Sequence, residues 1–221
     1  MPHQVCVVVG AGAGLGLSIA QRFGKEGYAI ALIARRPEAL AEYASTLMQA
    51  GVTAKGFSAD VADAQSLIHA FGQIQSQMGN PSVLVYNAAV MQEADPLTLT
   101  EETLVHDFKV GVTGALTAIQ QVVPNMRAQN QGTILLTGGA LAFDEYSPPP
   151  YLSLAIAKTS TRKLCFTLAN VLEPSNIHVA TVTVCGTIAP NTHFDPDRIA
   201  DVYWQLHTQM RSDWQREYVY K

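Results

Sequence analysis

The densest chemistry in this chain lies in the turn Gly10-Ala11-Gly12-Ala13-Gly14-Leu15-Gly16. Its Gly-x-x-x-Gly-x-Gly spacing suits the cradling of a pyrophosphate. Gly10 permits a tight turn, Gly14 lets backbone approach phosphate, and Gly16 allows a helix to pack closely, with Gly12 and Leu15 completing the loop. A helix starting near Gly14 would point backbone N–H groups and its positive dipole end at the anion. Arg35 and Arg36 follow the second apolar run, where an acidic residue would accept from both ribose hydroxyls of NAD. A guanidinium instead holds a 2′-phosphate through two parallel hydrogen bonds, so the pair favours NADP(H); the plainer alternative is two solvated arginines opening a helix. Asp60-Val61 would bring a carboxylate to an adenine amino group, unless Asp60 only caps the next helix.

These residues need strands that end where they stand. Residues 4–9 form a short, almost wholly apolar run, as expected of a parallel strand buried on both faces. Helical periodicity follows over 14–26, a buried strand over 28–33, a helix over 38–50 with Gly51 as its stop, and a strand over 52–57. The alternation continues with a helix over 64–78, a strand over 82–86, one long helix within 100–128, a strand over 132–137, a helix over 151–172 and a strand over 178–184. A last helix falls within 196–209. This pattern predicts an α/β fold, a Rossmann-type doubly wound parallel sheet with helices on both faces, as a single domain over 1–221. The irregular stretches 87–99, 138–150 and 185–195 all follow strands, and ligands bind at that edge of such sheets.

Bulk properties narrow the partners. The chain has 221 residues, 48% hydrophobic and 14% charged, which suits a compact body with a large core. A net charge of −4 with no basic run argues against nucleic acid. No apolar stretch approaches the roughly 20 residues of a membrane span. The histidines show no metal-binding spacing, so no metal is expected. Cys6, Cys165 and Cys185 sit in apolar runs and read as reduced core thiols, which points to the cytoplasm. The first strand pattern starts at Gln4, leaving no room for a signal peptide.

Over nearly its whole length the chain resembles the short-chain dehydrogenase/reductase family. The resemblance rests on the glycine turn, Asp60-Val61, Tyr86-Asn87-Ala88-Ala89, Lys158 on a helix, and Cys185-Gly186-Thr187-Ile188. It implies a nicotinamide cofactor with Asn87, Ala88 and Ala89 along it, Lys158 on the nicotinamide ribose, and Gly186 and Ile188 beside the carboxamide. Three of the four catalytic roles of the family are empty. The asparagine position is Gly111, the serine position aligns with Gly139, and the tyrosine position, four residues before Lys158, is Leu154.

The nearest tyrosine upstream is Tyr151. Its Tyr-x6-Lys spacing is similar to that of the divergent enoyl-acyl-carrier-protein reductases. Seven residues are almost two turns, so Tyr151 would share the face of Lys158, about 10.5 Å away along the axis. There it would polarise a substrate carbonyl while Lys158 binds the ribose. Its alternative role is an aromatic plug at the helix start, after Pro148-Pro149-Pro150. Asp144, Glu145, Tyr146 and His193 are weaker substrate contacts, and Thr137 replaces the missing serine only if the strand end shifts. The resemblance also implies a substrate-covering segment after Gly186, here reduced to a short lid over about 187–195. The expected function is NADP(H)-dependent reduction of a small carbonyl or conjugated enone or enoyl substrate. The rival is a catalytically silent NADP(H)-binding sensor or scaffold. A homodimer or homotetramer is expected through the helices at 100–128 and 151–172, with residues 214–221 either packing on a partner or closing the sheet edge.

Overall fold

The computed structural model describes residues 4–221. Among them seven strands form one sheet in the order β3-β2-β1-β4-β5-β6-β7, every neighbouring pair parallel. The strands are β1 Val5–Val9, β2 Ala29–Ala34, β3 Ala54–Ser58, β4 Pro81–Tyr86, β5 Gly132–Gly139, β6 Ile177–Val184 and β7 Glu217–Tyr220. Helices α1 Leu15–Lys25, α2 Pro37–Gln49 and α3 Ala64–Gln77 link the first four strands. Helices α4 Glu101–Phe108 and α5 Gly114–Ala128 precede β5, α6 Leu152–Leu172 precedes β6, and α7 Pro196–His207 precedes β7. The doubly wound prediction holds. β1 and β6 are buried at every position; β1 is an unbroken apolar run, while β6 also buries His178, Thr181 and Thr183.

Two apolar cores lie on opposite faces of the sheet. One joins α3, α5 and α6 around Phe71, Tyr86, Val122 and Met126. The other joins α1, α2 and α7 around Phe23, Ile30, Leu47 and Tyr203. This layering leaves the C-terminal ends of β1, β2, β4 and β5 as the free edge between the layers.

One element differs from the sequence reading, and a second takes one of the two roles expected of it. The expected single helix over 100–128 is interrupted by a π-helical turn over Lys109–Thr113. Long-range bonds open it: Tyr86 donates to the Val110 carbonyl at 2.5 Å and Thr161 to the Gly111 carbonyl at 3.0 Å. A β-carbon on Gly111 would stand 2.9 Å from that of Ala157, so α6 packs directly on the widened turn. Such turns recur at functional sites. Residues 217–220 form β7 and close the sheet edge, pairing Thr181 with Glu217 through Val184 with Tyr220. Arg162 of α6 anchors that strand by a forked pair of bonds to Glu217, at 2.9 and 2.6 Å.

Candidate active site

The glycine turn forms the floor of a cleft of about 700 Å³ at the free sheet edge. Its walls include Gly10, Gly12, Arg35, Arg36, Tyr43, Asp60, Val61 and residues 87–91 of the loop after β4. Gly10 has φ +83°, and a β-carbon there would strike the Ala88 backbone nitrogen at 2.5 Å. A β-carbon on Gly16 would lie 2.8 Å from the Gly10 carbonyl, so α1 rises directly off the turn. Around Gly12 and Gly14 the space is open, with no atom within 4 Å of a β-carbon position. Gly14 caps α1 without any side-chain bond; the Leu17 N–H donates to the Gly12 and Gly14 carbonyls, and the Leu15 and Gly16 N–H groups before it are the ones placed to meet an anion. A dinucleotide therefore fits: glycine cradle, helix start and paired arginines stand along one cleft.

Arg35 and Arg36 lie exposed at the end of β2, at the cleft's outer end. Asp60 also lines the cleft; its Oδ1 accepts from the Ala62 backbone at 2.9 Å. It does not cap α3. Asp63 does, accepting from Gln65 and Ser66. Asn87 borders the cleft but spends its amide on structure, donating to the Gly10 carbonyl at 3.0 Å and accepting from the Thr137 hydroxyl at 2.9 Å.

Through Ala88, Ala89 and Val90 the cleft abuts a small cavity lined by Tyr86, Asp107, Gly111, Thr137, Leu154 and Lys158. The structure thus brings Lys158 beside the inner end of the dinucleotide cleft. Its ammonium is largely buried and donates to the Thr137 carbonyl at 2.7 Å. Burial disfavours the charged form and lowers its pKa from 10.5 to about 8. The positions aligned with the missing catalytic groups surround it. A β-carbon on Gly139 would touch the Lys158 side chain at 3.7 Å, and Leu154 fills its own place at 4% exposure.

Thr137 does not stand in for the serine. Its hydroxyl bonds Asn87 and, at 2.7 Å, the buried Tyr203 hydroxyl, and only its carbonyl faces Lys158. Tyr151 also departs from the expected geometry. It ends a 3₁₀ turn over Pro149–Tyr151 and precedes α6 instead of lying within it. Its hydroxyl donates to Glu93 at 2.5 Å, and that carboxylate raises its pKa. It stands at the rim, outside the walls of the Lys158 cavity. A second bond, from Ala94 N–H to the Pro150 carbonyl at 2.9 Å, ties the same two loops.

Gly186 and Ile188 begin the 187–195 segment. The Phe194 ring lies against Gly186, 2.2 Å from where a β-carbon would stand, and Ile188 is exposed. His193 is held away from the cleft: its Nε2 lies 3.2 Å from the Lys221 main-chain oxygen, and Tyr220 donates to its carbonyl. Asp144, Glu145 and Tyr146 are exposed. The group the sequence reading missed is Asp107, a carboxylate only 2% exposed in the wall of the Lys158 cavity. The signal was an acid spaced three residues from both Leu104 and Val110, on an otherwise apolar stripe.

Residues 4–198 match the family model described as short chain dehydrogenase. An uncharacterised oxidoreductase of Bacillus subtilis (strain 168) is 33% identical over 135 residues, 61% of this chain. This match spans 52% of that relative's length. The 2,3-dihydro-2,3-dihydroxybenzoate dehydrogenase of the same organism is 26% identical over 203 residues, covering 92% of this chain and 73% of its own. Among solved structures, a metagenomic short-chain oxidoreductase in complex with NADP superposes with a TM-score of 0.88 at 26% identity, over 98% of this chain and 95% of that one. The family model spans most of the chain, and the chain belongs to the short-chain dehydrogenase/reductase family.

Proposed function

We propose that the protein is an NADP(H)-dependent reductase of a small carbonyl or conjugated enone substrate. The observation that carries this reading is the junction of the two hollows: a dinucleotide cleft with two arginines at one end and a largely buried lysine at the other. Bound there, the cofactor would supply a hydride. Lys158 holds the ribose side and, with a pKa of about 8, carries a proton it can give up near neutral pH. Tyr151 polarises the carbonyl of a substrate at the rim, which takes the place of Glu93 as acceptor of its hydroxyl proton. Exposed Leu116 on α5 and Val171 on α6 favour a homodimer or homotetramer through these helices. Three free cysteines favour the cytoplasm. Among the described residues no helix is long and apolar enough to cross a membrane.

The test is oxidation of NADPH by the purified protein with ketones, aldehydes and enones. Turnover on any class supports the reading, and enone turnover alone assigns C=C reduction. A second reading, a cofactor-binding protein without hydride chemistry, draws on Gly139 and Leu154, which leave Lys158 no neighbouring hydroxyl of the family kind. Tight NADPH binding with silence across the panel selects it. Replacing Tyr151 with Phe should cut turnover at least about a hundredfold, the lower range for a lost proton-handling group. Near-normal rates would remove Tyr151 from the mechanism.

Cofactor choice is tested separately. Replacing both Arg35 and Arg36 with Ser removes the charge-assisted bonds to a 2′-phosphate, each worth about 1.5–3 kcal/mol. NADPH should bind at least about tenfold more weakly while NADH affinity barely changes, as read by cofactor fluorescence titration. Equal losses for both cofactors would overturn the assignment.

A further inference from the structure

A second polar hollow, of about 170 Å³, lies at the opposite end of the sheet from the dinucleotide cleft and shares no residue with it. Its walls bring together Glu173 after α6, His178 and Val179 of β6, and Arg211, Trp214 and Arg216 of the segment before β7. The hollow exists because β7 starts late. β6 runs from Ile177, but its pairing with β7 begins only at Thr181 with Glu217. The Thr181 N–H donates to the Arg216 carbonyl on that side at 3.0 Å. Groups two residues apart along a strand point the same way, so the Val179 N–H faces the same side, where no strand pairs with it.

His178 is 3% exposed, and its ring stacks on that of Trp214 with centroids 4.8 Å apart. Its Nε2 lies 2.8 Å from the Gln215 carbonyl, which can only accept, so Nε2 carries the proton. Burial pushes its pKa below the usual 6.5, against the pull of the Gln215 and Leu206 carbonyls. The ring is therefore neutral near pH 7, and Nδ1 keeps a lone pair. Among the described residues Nδ1 is the one buried side-chain nitrogen or oxygen without a hydrogen-bond partner. A buried acceptor left unpaired costs free energy, and native interiors rarely leave one so.

Two guanidinium groups share this wall. The Arg211 side chain donates to the Glu173 carbonyl at 3.1 Å, and that of Arg216 to the Glu173 carboxylate at 3.4 Å. Each guanidinium has five donors, so most remain open. The Arg216–Glu173 pair is long and about half exposed on both sides, so it yields readily to a better acceptor. This set of groups selects its ligand. The arginines and the Val179 N–H call for an oxyanion, whereas Nδ1 calls for an O–H. Carboxylate and sulfate offer only acceptors at neutral pH, and so, for the most part, does a phosphate monoester with its second pKa near 6. Inorganic phosphate keeps at least one O–H there and is still an anion. We infer that the hollow binds inorganic phosphate, its oxygens held by Arg211, Arg216 and the Val179 N–H and its O–H donating to His178 Nδ1. The site is independent of the proposed reduction.

The test reads His178 itself in the full-length protein, by NMR of ¹⁵N-labelled histidine rings, with its peaks assigned by their absence in His178→Gln. The dinucleotide cleft also attracts anions, but it lies at the other end of the sheet and leaves this ring unmoved. A nitrogen with a lone pair resonates far from a protonated one and shifts toward it on accepting a hydrogen bond. Inorganic phosphate titrated near pH 7.5 should move the Nδ1 signal in this sense, to saturation. Sulfate at matched ionic strength should bind at least about tenfold more weakly, because it sets an oxygen against the acceptor. Methyl phosphate, mostly a dianion at this pH, should behave like sulfate.

Arg211 and Arg216 are exposed, so replacing both with Gln leaves the fold in place. This double variant should weaken phosphate at least about tenfold, again read at His178, while its NADPH affinity by fluorescence titration stays that of the wild type. A Nδ1 signal indifferent to phosphate overturns the site, as does an equal response in the double variant. A signal moved equally by phosphate and sulfate overturns the O–H bond to Nδ1, and with it the assignment to phosphate.

Discussion

Replacing Lys158 with Met is expected to lower turnover by about 10²–10⁴-fold, the range for loss of a group that moves the reacting proton. The same substitution changes how stability depends on pH, and this needs no substrate. Burial depresses the folded pKa from 10.5 to about 8. Between those values the unfolded chain binds more protons than the folded one, so stability rises with pH across that window. Below pH 8 both states are protonated and the cost of the buried charge is present in full; above 10.5 it is gone. The full shift corresponds to about 3 kcal/mol, and the residual exposure of the side chain brings it nearer about 2. Urea unfolding at a series of pH values from 7 to 10.5 should therefore show wild-type stability gaining about 2 kcal/mol on Lys158→Met. Parallel curves would mean that the ammonium is not desolvated and that its proton is no easier to release than that of a surface lysine.

What the sequence disclosed and what it hid divide along contact range. The glycine turn, the arginines after β2 and the doubly wound sheet are local signals. Each depends on residues adjacent in sequence to a strand end, so spacing alone located them. Tyr151 shows where spacing fails. Its projection onto the face of Lys158 assumed a continuous helix, but Pro148, Pro149 and Pro150 hold it in a 3₁₀ turn before α6, and Glu93 claims its hydroxyl. The π-helical turn stayed hidden because its cause is remote, Tyr86 and Thr161 reaching the Val110 and Gly111 carbonyls. Asp107 was passed over because its burial depends on Ser153, 46 residues away. β7 is only four residues long, and Glu217 at the head of its Tyr-Val-Tyr run masks it until Arg162 and Thr183 are seen to bind that carboxylate.

The largest stability effect should come from Gly10→Ala. Two costs add. At φ +83° an alanine pays about 1–2 kcal/mol for the left-handed conformation. Its β-carbon would also stand 2.5 Å from the Ala88 nitrogen, 2.7 Å from the Ala88 α-carbon and 2.9 Å from the Asn87 carbonyl carbon. All three are backbone atoms, so no rotamer change relieves the clash. The ends of β1 and β4 must part, against the Asn87 N–H to Val9 carbonyl bond of 2.8 Å and the Asn87 side-chain bond to Gly10. Overpacking of this kind costs about 1–3 kcal/mol. The sum, about 2–5 kcal/mol, lowers the midpoint of thermal unfolding by about 5–15 °C in a chain of this size. Gly12→Ala provides the contrast, because no atom lies within 4 Å of its β-carbon position and it lines the same cleft. That variant should stay within about 0.5 kcal/mol of the wild type yet bind NADPH more weakly, its methyl group standing where phosphate must approach. Calorimetry and a fluorescence titration on the two variants separate the glycine that holds the fold from the glycine that admits the ligand. If Gly10→Ala melts with the wild type, the strand ends are looser than the geometry states, and the cradle is not preformed.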